Sequence, residues 1–281
     1  MKIDLHTHSS ISDGTDTPAQ LVKKAKTAGL DVVGITDHDT IGGWAEATQA
    51  AVKHRITLVP GMETTTNYQG VIVHLLAYLF DPTNQYLQTH FKRMRTGRSA
   101  RVAEMAQRVA ADYPIDIARI MDSVGESGTL GRPHIADELV RIGVVQTRSE
   151  AFAEIIRPGS KYYVRSKSPN LLDAISWIND AGGKAVIAHP KAISRGKILS
   201  DDGIRESAAA GVFGIEVWHR DNPDHLRGDL RKLADQLGLA EFGASDYHGR
   251  GKPNLLGENT TPDDVYRQLL AGAFGQAIEP K

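Results

Sequence analysis

Short runs of β-branched residues alternate with amphipathic stretches through most of this 281-residue chain, and this alternation limits its fold more than any other feature. "KIDLH" at 2–6 reads as a strand and "TPAQLVKKAKTAG" at 17–29 as a helix, with Thr17 as N-cap, Pro18 at the first position and Gly29 past the end. A strand in "LDVVGITDH" and a helix in "GWAEATQAAVKH" follow, then two strands in "ITLVPGMETT" and "VIVHLLAYLF". From 81 to 167 strand signals fade. "FKRMRTGRSARVAEMAQRVAADY" predicts a long basic helix, and "RPHIADELVRIG" and the cap chemistry at Thr147–Glu150 predict two shorter ones. Strands then return in "KAVIAHP", "VFGIEVWH" and "LAEFGASDYHG", separated by helical patterns. Alternating units of this kind predict a parallel sheet, open or closed into a barrel. The expected division is a barrel from 1–80 and 168–281 and a helical insertion at 81–167.

The histidines fall in one kind of place. His6 and His8 end the first strand, His38 the second, His189 and His248 two later ones, and His74 lies within "VIVHLL". Asp13, Glu63 and Asp246 follow the same rule. The C-terminal ends of parallel barrel strands converge on one face, and residues two apart on a strand share a side. His6 with His8, and Asp246 with His248, can therefore face one centre. Nine such side chains exceed what one ion needs, so two or three divalent ions are expected, bridged by a carboxylate or water. With no cysteine in the chain, only nitrogen and oxygen ligands are available. A single strand-end histidine is ordinarily a hydrogen-bonded core or surface residue; the agreement of all these placements carries the metal reading. His54, His90 and His225 fall in helical or loop patterns and read as surface residues, whereas His219, ending "EVWH", stands between the two classes.

The net charge of −1 argues against a nucleic-acid coat, and no apolar run approaches the ~18–20 residues of a membrane span. Met1 and Lys2 lead directly into "IDLH" without an apolar leader, so the default expectation is cytoplasmic, with no membrane partner.

"DLHTHSSISDG", "GITDHDT", "GMETT", "VHLLAY", "VIAHP" and "ASDYHG", in this order, resemble the polymerase-and-histidinol-phosphatase (PHP) superfamily. The resemblance implies a distorted seven-stranded β/α barrel with divalent metals, manganese first, with iron and zinc as alternatives. "RTGRSAR" on a helix and "GRPHIA" after it resemble the branch that removes the 3′-phosphate of nucleoside 3′,5′-bisphosphates by metal-activated hydroxide attack, or trims short single-stranded RNA from its 5′ end. A histidinol-phosphate-type phosphatase and a metal-stabilised regulatory module without activity are the alternatives. The resemblance implies that His6, His8, Glu63 and Asp246 hold a first metal, Asp13, His38 and His248 a second, and Glu63 with His74 and His189 a third, His134 being able to replace either of the last two. Asp13 stands where some relatives carry histidine.

Glu63, Asp246 and His134 are the candidate catalytic groups, His134 as hydrogen-bond donor or general acid. Arg98, Arg101, Arg132 and His134 are the candidates for gripping phosphate, because the guanidinium fork binds two phosphate oxygens and a helix start attracts anions. Asp37 and Asp39 could orient metal-bound imidazoles, and Glu216 could hydrogen-bond a ligand or water.

Overall fold

The structure is a computed structural model that describes residues 1–193 and 196–280. Seven strands form one sheet in sequence order: β1 (Ile3–Asp4), β2 (Val32–Ile35), β3 (Thr57–Tyr68), β4 (Val71–Tyr78), β5 (Lys184–Ile187), β6 (Gly214–Trp218) and β7 (Ala240–Gly243). Past its ladder the first strand runs on through Thr7, which bridges Tyr247 beyond β7, and His8 N–H donates to Tyr247 O at 2.8 Å. The sheet thus curls into a nearly closed barrel.

The sheet is mixed, which corrects the expectation of parallel strands throughout. β4 is antiparallel to both β3 and β5. The reason is local. Only Gln69 and Gly70 separate β3 from β4, with φ of 48° and 87°, the two positive values that a tight hairpin turn requires. β3 is also the longest strand, at 12 residues, and carries the hairpin beyond the barrel wall.

Helices α1 (Pro18–Thr27) and α2 (Trp44–His54) cover β1–β3; α7 (Leu171–Asp180), α8 (Asp201–Ala209), α9 (Asp224–Gln236) and α10 (Asp263–Leu270) cover the rest. Thr17 caps α1 as expected, its side chain and that of Gln20 satisfying each other's backbone N–H. Between β4 and α7 lie α3 (Gln85–Ala110), α4 (Ile117–Met121), α5 (Arg132–Arg141) and α6 (Arg148–Glu150), the last running into one π-turn, Ala151–Ile155. The long helix starts six residues before the basic run, because the Asn84 side chain accepts from Leu87 N–H and caps it there.

Two cores meet along α3. Leu87 and Phe91 at its start pack with barrel residues such as Met62, Phe80 and Ile187. Val102, Met105 and Val109 at its end pack with Ile120, Ile135, Leu139 and Ile156 in a separate cluster. One rigid helix therefore belongs to both bodies and fixes the helical segment against the barrel wall. Among the described residues no helix is long and apolar enough to cross a membrane.

Candidate metal centre

Glu63 sits in the middle of the barrel mouth, 1% exposed. The strand run of β3 continues past the barrel rim, so its carboxylate reaches over the strand ends. One oxygen, Oε2, lies 3.4 Å from His6 Nε2, 3.1 Å from His8 Nε2 and 3.2 Å from His38 Nδ1. The other, Oε1, lies 2.7 Å from His74 Nδ1 and 3.4 Å from His189 Nε2. Glu63 thus faces one set of imidazoles with each oxygen. His74 reaches this point although it is near the start of its strand. In an antiparallel strand it is the early residues that rise to the mouth, and His74 pairs with Thr65 across the hairpin.

Asp246 closes the same ring, its Oδ1 lying 3.4 Å from His6 Nε2 and 3.3 Å from His8 Nε2. Asp13 takes the far side, with Oδ1 3.1 Å from His248 Nε2 and Oδ2 3.6 Å from His38 Nε2. Among the described residues four overlapping groups form, the donor atoms of each lying within 4.8 Å of one another: His8–Asp13–His38–His248, His6–His8–Glu63–Asp246, His38–Glu63–His74 and His6–His189–Glu216.

The donor set suits divalent cations. His6 Nε2 and His8 Nε2 point at each other across 3.0 Å, at the focus of two carboxylates. His38 Nδ1 and His248 Nε2 are buried and each within 3.2 Å of a carboxylate oxygen, yet neither makes a well-aligned hydrogen bond. Lone pairs converging in this way share a common focus, which is what a cation requires. His/Asp/Glu sets of this kind accept several first-row ions, so the donors do not select one.

The electrostatics of the donor set show how closely its charges are coupled. Burial opposes charging His6, but Glu216, Glu63 and Asp246 hold it well above the ordinary imidazole value. Burial likewise opposes charge on His8, and the carboxylates Asp246, Glu63 and Asp13 carry it to about 9. Burial would raise Glu63, but His74, His38 and His6 hold it well below the usual carboxylate range. His248 is pushed down to about 4 by burial, with Lys252 and His8 adding to the effect.

A metal needs His8 neutral, so below pH 9 binding must displace a proton. Manganese binding to the stripped protein at pH 7 is therefore expected to release protons, and affinity should rise with pH up to about 9. Calorimetry in buffers of different ionisation enthalpy measures the released protons directly; buffer-independent heats would contradict the assignment of His8.

The outer residues take different parts. Asp37 does not touch an imidazole: it accepts from Ser9 N–H (2.8 Å), Ser9 Oγ (2.6 Å) and Ser12 Oγ (2.6 Å), and so shapes the loop that carries Asp13. Asp39 holds Arg98, with Oδ2 2.6 Å from its Nε, and accepts from Thr64 Oγ1 at 2.7 Å. Glu216 meets two candidate ligands: Oε1 lies 2.8 Å from His6 Nδ1, and Oε2 accepts from His189 N–H at 2.8 Å. It fixes the ring of one candidate ligand and the backbone of another. His134 joins none of the four donor groups. Its Nδ1 accepts from Gly131 N–H at 3.0 Å and caps α5, so it does not stand in for His74 or His189.

The three arginines come together. Arg98 also donates to Thr65 Oγ1, so it is anchored beside His38 through Asp39 and beside His74 through Thr65. A Cβ on Gly131, at the start of α5, would lie 3.9 Å from Arg98 Nη1. Arg132 follows Gly131, its guanidinium 4.9 Å from the Phe152 ring centroid and 5.7 Å from that of Tyr163. Arg101 lies 5.2 Å from the same tyrosine and donates to Val164 O at 2.7 Å. Burial first, and then repulsion by Arg101 and Arg98, pushes Arg132 down to about 10.

Two further side chains reach the mouth. His219, fully buried at the end of β6, accepts from Asp221 N–H on Nδ1 and brings Nε2 to 3.9 Å from Asp246 Oδ2. Its strand-end position was the available signal. Lys252 Nζ lies 2.7 Å from the same oxygen, and nothing in the spacing of "HGRGKPN" pointed to it.

A nearly closed seven-stranded barrel with this donor set at its mouth defines a metal-dependent phosphoesterase of the PHP type, and the chain belongs to the PHP family. The family's PHP domain matches residues 4–141. The chain is 34% identical over 257 residues to a 3′,5′-nucleoside bisphosphate phosphatase of Chromobacterium violaceum, covering 89% of this chain and 88% of that protein. It is 32% identical over 251 residues to a 5′-3′ exoribonuclease of Haemophilus influenzae, covering 88% and 90%. A Bifidobacterium adolescentis protein assigned as a metal-dependent phosphoesterase superposes with a TM-score of 0.94 at 43% identity, covering 96% of each chain. An amidohydrolase of Chromobacterium violaceum solved with bound sulfate superposes with a TM-score of 0.88 at 31% identity, covering 100% and 99%.

Proposed function

We propose that the protein removes the 3′-phosphate from nucleoside 3′,5′-bisphosphates, giving the 5′-monophosphate and phosphate. The observation that carries this reading is the anchoring of Arg98 to Asp39 and Thr65, the first next to His38 and the second paired with His74. That anchor sets Arg98, Arg101 and Arg132 beside the donor groups, so one phosphate can be gripped while another is hydrolysed.

When bound, the metals supply an acidified water for attack on phosphorus and positive charge for the phosphoryl oxygens. Manganese is the expected ion. His6, His8, Glu63 and Asp246 would hold one, Asp13, His38 and His248 a second, and Glu63 with His74 and His189 a third. The chain's own work is positional. Glu216 fixes the ring of His6, Asp37 fixes the loop of Asp13, and the arginines hold the phosphate that is not cleaved. His134 stays a donor candidate at the start of α5, where backbone N–H groups add to the pull on an anion.

The Haemophilus relative supports a second substrate for the same site. In a 5′-phosphorylated RNA the terminal 5′-phosphate would take the arginines, and the bond broken would again be the 3′-O–P bond of the first nucleotide. Either reaction yields a 5′-mononucleotide. Initial rates on adenosine 3′,5′-bisphosphate, 3′-AMP, 5′-phosphorylated trinucleotide and histidinol phosphate, with manganese, test the proposal. The bisphosphate should exceed 3′-AMP strongly. Equal rates on these two, or a preference for histidinol phosphate, would overturn it.

A further inference from the structure

Arg148 begins α6, far from the barrel in sequence, yet its side chain is only 12% exposed. Its guanidinium makes a fork with Asp137 of α5, Nε to Oδ1 at 2.5 Å and Nη2 to Oδ2 at 2.6 Å. The remaining nitrogen, Nη1, donates to the backbone carbonyl of Asp13 at 2.8 Å. The same nitrogen lies against Gly251, so closely that a Cβ there would fall 2.1 Å from it. Gly251 N–H donates to His248 O, and Thr15 N–H donates to that same carbonyl. One guanidinium thus spans the two loops that present Asp13 and His248, and ties both to the helical segment through Asp137.

We infer that Arg148 is a positioning residue for the Asp13–His38–His248 group, through which the helical segment sets the affinity of one metal equivalent. The inference rests on the metal reading above and not on which substrate is cleaved. Asp13 carries the carboxylate whose two oxygens face His248 and His38, at 3.1 and 3.6 Å. Its main chain must be held for that carboxylate to face both rings. Glu63, Asp246, His74 and His189 are fixed by the barrel itself, and Arg148 has no contact with them among the described residues. The bidentate fork engages two of the three nitrogens and leaves the third directed at Asp13, a division that lysine, as a point charge, cannot reproduce.

The test is a titration of the metal-free protein with manganese alone, counting equivalents by elemental analysis and reading affinities by calorimetry. Arg148→Ala and Gly251→Ala are compared with the parent. Gly251→Ala removes no charge and no ligand; its Cβ occupies the place of the guanidinium. Arg119→Ala is the control, since Arg119 lies on the same helical segment and pairs with Glu138 at 3.7 Å. Both test variants should weaken one equivalent by about 10–100-fold, as loss of an outer partner of a ligand does, and leave the others at parental affinity. Thermal melts of the metal-free proteins establish that each is folded; should Arg148→Ala not fold, Gly251→Ala decides alone. Parental binding in Gly251→Ala, or a uniform loss of all equivalents, overturns the inference.

Discussion

Glu63→Gln should lower phosphoesterase turnover by about three powers of ten and leave the protein short of bound metal. Each oxygen of this carboxylate faces a different set of rings, His6, His8 and His38 on one side and His74 and His189 on the other. Glutamine keeps the shape, but it replaces one oxygen by an N–H donor and removes the charge that balances the cations. Breaking a buried charged set by removing one partner costs about 3–5 kcal/mol, and ~1.4 kcal/mol is a factor of ten in rate. Replacing a peripheral donor such as His74, which is 20% exposed and faces one oxygen only, should cost less. Metal content by elemental analysis and kcat on the bisphosphate, with circular dichroism as a check on folding, decide the matter. Parental metal content and rate in Glu63→Gln would remove Glu63 from the centre.

Arg132→Ala should abolish most of the preference for a bisphosphate over a 3′-monophosphate. The guanidinium lies over two aromatic rings and is held down to about 10 by burial and by its arginine neighbours. An anion placed among the three relieves that repulsion. Charge-assisted hydrogen bonds contribute roughly 1.5–3 kcal/mol each. Losing a fork of two lowers kcat/KM by about two to four powers of ten on the bisphosphate. The rate on 3′-AMP, which has no second phosphate to grip, should change little. An equal fall on both substrates would place Arg132 in a general role.

The donor residues were legible because each is a polar group at an apolar strand's end, where a core residue would otherwise stand. His6, His8, His38, His189, Asp246 and His248 share that signature. His74 broke the rule, because it lies near the beginning of an antiparallel strand; the Gln69–Gly70 pair between two apolar runs was the hairpin signal that explains it. The partners of Asp37, Asp39 and Glu216 were beyond the sequence. Each depends on elements from 25 to 210 residues away meeting at the mouth, and spacing carries no information about such meetings. The same holds for Arg148, whose acceptor at Asp13 is 135 residues distant. α3 was legible as a helix but not as a member of two cores, since both halves show the same period.

The most direct measurement is the identity of the products from adenosine 3′,5′-bisphosphate, with the protein stripped of metal and then reloaded with manganese. A 3′-phosphatase built on this mouth gives 5′-AMP and phosphate in equal amounts from the reloaded protein, and nothing from the stripped one. Release of 3′-AMP, or undiminished turnover without metal, would contradict it.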